Sequence, residues 1–146
     1  MTQEHKELLL KDLCARLPYG VMLSITHNEY TDETFNARIS TIDYCNEVKV
    51  RYGFEEYEQA FSLEQIKPYL YPLSSMTEEQ LYEVSQILGK DVAIFTDYLL
   101  TIDHRRRTFS YQELDALVNW FDKNHFDHRG LIPMDLAIDA TNLNIY

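Results

Sequence analysis

The sequence predicts an α+β protein: an N-terminal helix plus a small bent antiparallel sheet, followed by a helical lobe. Three observations carry that prediction. Apolar residues recur at helical spacing near both ends, with Leu9, Leu10, Leu13 and Leu17 on one stripe and Leu114, Leu117, Val118 and Phe121 on another. Between them the period drops to two: Val21, Leu23 and Ile25, then Phe35, Ala37 and Ile39, then Val48, Val50 and Tyr52 alternate with more polar neighbours. In the second half, Thr77 with Gln80 and Ser110 with Glu113 have the form of capping boxes that open helices.

Taken in order, the first helix covers residues 3–17, with Glu4, Lys11, Asp12 and Arg16 off its apolar stripe, and Pro18 and Gly20 end it. The three alternating runs form a bent meander whose core is Val21, Leu23, Ile25, Ile39, Val48 and Val50, and residues 43–47 connect its second and third strands as a hairpin. After Gly53 comes an acidic, aromatic stretch, then a short fourth strand near Ala60 and Phe61. Ser62 and Gln65 frame another capping box, but Pro68 leaves room for only about one helical turn before the chain extends again. A meander, one turn and a final strand is the element order of SH3-like barrels, an analogy that carries no function by itself.

Residues 72–76 read as a joint, dividing the chain into a helix and barrel-like lobe (1–73) and a mainly helical lobe (74–146). Thr77 opens a helix through Leu81, Val84, Ile87 and Leu88 that Gly89 stops. From 91 to 109 the apolar residues fit either a helix or a pair of strands, and Arg105, Arg106 and Arg107 read as a polar turn. The helix opened by Ser110 gives way at residues 124–130, where Phe126 is expected as an apolar plug. Gly130 then supplies a turn that folds Leu131 and Ile132 back over that helix. Asp135, just after Pro133, suits the start of a short helix.

At 146 residues, 45% hydrophobic and 13% aromatic, the chain can bury a core without metal or disulfide help. The net charge of −11 is spread evenly, with 12 acidic against 7 basic residues in 1–73 and 12 against 6 in 74–146. Such a surface repels phosphate backbones and anionic lipid, which argues against nucleic-acid and membrane binding; a basic protein partner, or simple solubility, accounts for it better. Cys14 and Cys45 form no CxxC and read as buried thiols in a reducing cytoplasm, with a single disulfide as the alternative that spacing leaves open. The first residues lack the cationic start and apolar run of an export signal, and no segment is apolar enough to span a bilayer, so a cytoplasmic location is expected. The four glycines form no phosphate-binding loop, and no cofactor is expected.

Histidines, carboxylates, an arginine and a glycine crowd together only at residues 124–130. His125, Asp127 and His128 are the metal candidates there, since imidazole and carboxylate ligands suit zinc or iron. The competing reading is structural, because histidines at a helix C-terminus are favoured by the dipole alone. Asp127, Asp135 and Asp139 with Arg129 could form an acid/base cluster, set against inward-facing Leu136, Ala137 and Ile138 that would leave the aspartates in water. Eleven tyrosines exceed what a core needs, so some suit an interface. The residues expected to contact a partner are Phe54, Glu55, Glu56, Tyr57, Glu58, Tyr69 and Tyr71.

Residues 67–77, running from Lys67, Pro68 and Tyr69 to Met76 and Thr77, and residues 124–137, with His125, Phe126, Asp127, His128, Arg129 and Gly130, resemble a family of small uncharacterised proteins from gut bacteria and their prophages. The resemblance covers under a fifth of the chain and implies a cytoplasmic protein encoded on mobile or phage-derived DNA. It assigns no activity, so no catalytic residue is carried over. The expected function is thus an acidic interaction or regulatory module, with a nucleic-acid mimic as a special case. A small metal-dependent hydrolase using His125, Asp127 and His128, and a phage structural accessory protein, are the alternatives.

Overall fold

A computed structural model describes residues 1–26, 33–43, 47–52, 57–88, 94–96, 99–101 and 110–146, with the backbone alone at 52, 57, 94–96 and 99–101. Phe54, Glu55, Glu56, Cys45 and the Arg105, Arg106 and Arg107 run lie outside the described residues. The α+β class holds: a helix, a six-stranded mixed sheet and a later helical region.

The first helix, α1 (Gln3–Arg16), starts where the Thr2 hydroxyl accepts the His5 amide. Cys14 on this helix is exposed rather than buried as expected, because Leu9, Leu13 and Arg16 take its inward face. It ends in a single 3-10 turn, Leu17–Tyr19, closed by Gly20 at φ +65°. A side chain at Gly20 would also meet the Arg38 Cδ at 3.0 Å, so the glycine serves both conformation and close approach. Strands β1 (Met22–Thr26), β2 (Thr34–Ile42), β3 (Val48–Tyr52) and β4 (Tyr57–Phe61) then pair in sequence as an antiparallel meander. A register shift between Ile39 and Thr41 marks a bulge that bends β2. The Ser62 and Gln65 capping box forms around the 3-10 turn Leu63–Gln65, and β5 (Ile66–Leu70) crosses back to pair with β1.

All six core residues expected for the meander are buried, each 5% exposed or less. Each such side chain contributes roughly 1.5–3 kcal/mol. Val50→Asp would place a charge with no partner between Ile39 and Gln59, and is expected to abolish cooperative thermal unfolding. A melt unchanged from the parent would overturn the role given to β3.

The second half contributes α2 (Glu78–Ile87), the short antiparallel strands β6 (Ile94–Thr96) and β7 (Leu99–Thr101), α3 (Tyr111–Lys123) and β8 (Ile138–Asp139). Residues 94–96 and 99–101 thus adopt the paired-strand alternative. Both expected capping boxes are made reciprocally, Thr77 with Gln80 and Ser110 with Glu113. On α3 only Leu117 and Phe121 of the expected stripe are buried, while Leu114 and Val118 are exposed.

The sheet order is β4-β3-β2-β1-β5-β8, and closure into an SH3-like barrel is not seen among the described residues: β4 and β8 remain its two edges. β8 lies parallel to β5, because the chain after α3 returns to the sheet. Leu131, Leu136 and Ala137 therefore join the core formed by α1 and the sheet, so Leu131 folds away from α3 rather than over it. A second core gathers Leu73, Val84, Leu88, Leu117, Phe121 and Phe126. No helix among the described residues is long and apolar enough to cross a membrane.

Candidate functional site

The densest polar cluster lies where α1 meets the end of α3, and it rests on two residues that the sequence pattern sets off the apolar stripe. Asp12 and Arg16 have no exposed surface. One helical turn apart, they pair through Arg16 Nε to Asp12 Oδ2 at 2.8 Å and Nη2 to Oδ1 at 3.0 Å. The remaining Arg16 donors reach the carbonyls of Phe126 at 2.8 Å and of Phe121 and Asp122 at 3.4 Å. An arginine of α1 thereby caps the C-terminal end of α3, adding a further donor and positive charge to carbonyls at and just beyond the helix end.

Arg129 closes the cluster from the other side, donating to Asp12 Oδ1 at 2.8 Å, Asp122 Oδ1 at 2.6 Å and Asp122 Oδ2 at 3.2 Å. His128 Nε2 lies 2.9 Å from Asp122 Oδ1 and 2.7 Å from Arg129 Nη1, so it donates to the carboxylate when protonated there and accepts from the guanidinium when not. Burial acts to raise the Asp122 pKa, but the bonds from His128 and Arg129 and the charge of Arg16 overcome it. They hold the carboxyl well below the usual range. Burial opposes the Arg129 charge, and the bond to Asp122 outweighs it and raises the Arg129 pKa. Two aspartates and two arginines leave the cluster balanced.

The segment after α3 is built by a Schellman motif, with Phe126 N–H to Phe121 O at 2.9 Å and His125 N–H to Asp122 O at 3.4 Å. His125 occupies its left-handed position at φ +59°, where glycine is usual. The His125 ring stacks on Tyr146 at 4.1 Å, and its buried Nδ1 has no hydrogen-bond partner. Tyr146 in turn accepts the Met22 amide and donates to the Tyr69 carbonyl, joining β1 to β5, and burial raises its pKa.

Burial, helped by the charges of Arg16 and Arg38, lowers the His125 pKa from 6.5 to about 4. The fold therefore favours neutral imidazole. Above the unfolded value this has no effect on stability; as pH falls from 6.5 toward 4 the unfolded chain takes up a proton that the folded one refuses, and stability is lost. His125→Gly also suits the backbone. It is expected to remove about 2–3 kcal/mol of the destabilisation seen in urea unfolding between roughly pH 7 and 4.5. Equal losses in parent and variant would overturn this assignment. Asp122 acts at lower pH, since a depressed carboxylate contributes stability above its unfolded value of 3.8 that is lost below it.

The structure does not bring the sequence-derived metal ligands together. His125 is stacked on Tyr146, Asp127 accepts the amides of Leu131 and Ile132 at 2.8 Å each, and His128 belongs to the Asp122 cluster. Among the described residues, the ligand atoms that do converge are those of Asp12, Asp122 and His128, within 4.8 Å of one another. The Arg16 and Arg129 guanidinium groups already hold those carboxylates, so a divalent cation would have to displace a buried positive charge. The proposed acid/base cluster is dispersed as well. Asp135, at φ +58°, is in a turn and starts no helix; it pairs with Lys67, while exposed Asp139 accepts from Thr141.

Of the expected contact residues, Glu58 is exposed and accepts the Ser40 hydroxyl. Tyr69 is buried, contrary to expectation, because β5 lies between β1 and β8; its hydroxyl donates to Asn36 Oδ1 at 2.9 Å. Tyr71 is half-buried against Phe126 and Tyr146 and exchanges backbone bonds with His125 and Asp127. Sequence reasoning missed Asp12, Arg16 and Asp122, although Leu9, Leu13 and Arg16 share one helical stripe, a signal that Arg16 faces inward. Comparison with protein-family models, curated proteins and solved structures gives no match to this chain.

Proposed function

We propose that the protein is an acidic interaction module whose partner is a basic protein, carried on mobile or phage-derived DNA. One observation supports the reading above the alternatives: among the described residues, the buried charged groups are committed to protein partners, while the excess charge belongs to the surface. Asp12 and Asp122 are matched by Arg16 and Arg129, and Asp127 spends both oxygens on backbone amides. A hydrolase needs a base or a metal position open to substrate, whereas a binding module needs only a stable scaffold and an outward charge.

Attraction between exposed charges is screened over about 8–10 Å at physiological ionic strength, so the complex should form in low salt and dissociate steeply as salt rises. Pull-down with the whole chain at two salt concentrations, with the partner identified by mass spectrometry, is the test. A cationic protein lost at high salt is the expected result. Recovery of nucleic acid alone, or of a partner indifferent to salt, would overturn the proposal.

A further inference from the structure

A groove of about 350 Å³ runs between the first half of α1 and the turn that follows β4. Its apolar lining comes from Leu10 and Leu63, and its polar rim includes Lys6, Glu7, Glu47 and Glu64. The one cation among the described residues lining it, Lys6, is already paired with Glu64. Glu7 accepts only the neutral Gln3 amide, at 2.9 Å, and Glu47 has no cationic partner among the described residues. The groove therefore combines an apolar floor with two carboxylates that no cation among the described residues neutralises. A small apolar ligand would leave those charges unmatched, and an anionic one would be repelled by them.

The adjoining depression of about 280 Å³ shares Glu64 but has a different character. Lys67 on its rim is balanced by Asp135, and it offers Met134, 42% exposed, beside Leu136. Methionine gives a soft, adaptable surface for apolar side chains.

Resting on the reading of the protein as an acidic module, we propose that this groove seats a segment of a partner protein that carries an arginine or lysine next to an apolar residue. The aliphatic stem of the basic side chain lies on Leu10 and Leu63 while its charged head reaches Glu7 and Glu47, the division that long cationic side chains favour. The neighbouring apolar residue covers Met134.

The test is titration calorimetry in low salt, using the whole chain and a synthetic peptide of alternating arginine and leucine. Controls are the same peptide with norleucine for arginine and one with glutamate for arginine. Glu7→Gln with Glu47→Gln is expected to weaken the arginine peptide about tenfold, while Glu78→Gln with Glu79→Gln, the same charge change on α2, leaves it within about twofold. Both pairs are exposed, and their thermal melts establish that the variants fold. Equal weakening by both pairs would overturn the groove while leaving a generally acidic binder, as would equal affinity for the norleucine peptide. Absence of binding to the parent would also overturn the groove, and the pull-down from cells tests the module reading separately.

Discussion

Arg16→Met is expected to cost about 3–5 kcal/mol, a large part of the roughly 5–15 kcal/mol that holds a domain of this kind folded. The side chain is wholly buried and its five donors all have acceptors, so the loss leaves Asp12 with Arg129 as its one charged partner and takes one donor from each of the Phe121, Asp122 and Phe126 carbonyls. Arg16→Lys should rescue little, because an ammonium lacks the planar fork that spans Asp12 and the end of α3. The double variant Asp12→Leu, Arg16→Met removes the half-matched carboxylate but leaves the Phe121, Asp122 and Phe126 carbonyls with only their backbone amide donors, and takes one acceptor from Arg129. It is expected to recover only part of the loss. Urea unfolding followed by circular dichroism measures all three, and near-parental stability of Arg16→Met would show that the cluster does not weld α1 to α3.

Phe126→Ala is expected to cost a similar 3–5 kcal/mol. The ring is 1% exposed, stacks on Trp120 with centroids 5.5 Å apart and planes 8° from parallel, and meets Tyr71 at 6.0 Å. Truncation opens a cavity in the second core while leaving the backbone groups of Phe126 free to keep the Schellman bond and the bond to Arg16. His128→Ala should cost only about 1 kcal/mol, since Arg129 still covers both oxygens of Asp122. The order of these two losses separates a structural segment from a metal centre. A histidine variant more damaging than Phe126→Ala would restore the metal reading.

The parts of the fold legible in the sequence were those governed by neighbours along the chain. Thr77 with Gln80, Ser110 with Glu113 and Ser62 with Gln65 satisfy amides three residues away, so their effect is local and readable. The alternation in β1 to β3 named the first core correctly, because a strand must turn one face inward whatever its partner. Phe126 as plug and Gly130 at φ +73° followed from the same kind of reasoning.

The candidate site was legible only in part. Setting Asp12 and Arg16 off the apolar stripe followed the rule that charges stay outside, and the rule failed because their partners arrive from far along the chain. Arg129 is 117 residues from Asp12, and the Phe126 carbonyl is 110 residues from Arg16. Tyr69 was assigned to a surface because nothing local announces that β8 will cover that side of β5. His125 was weighed as a ligand, and its left-handed backbone and its stack on Tyr146 depend on where α3 ends relative to the sheet.

By itself the sequence determined the α+β class, the helix starts, the meander core and the acidity of the surface, each fixed by spacing or by composition. Tertiary structure alone decided that the chain after α3 returns to the sheet, that four charged groups from α1, α3 and the following loop neutralise one another in the interior, and that an apolar groove with an acidic rim forms beside α1. The reason is physical. Buried charges such as those of Asp12 and Asp122 are tolerated because opposite ones are held against them, and a groove exists only between elements already packed, so neither is a property of any one stretch of chain.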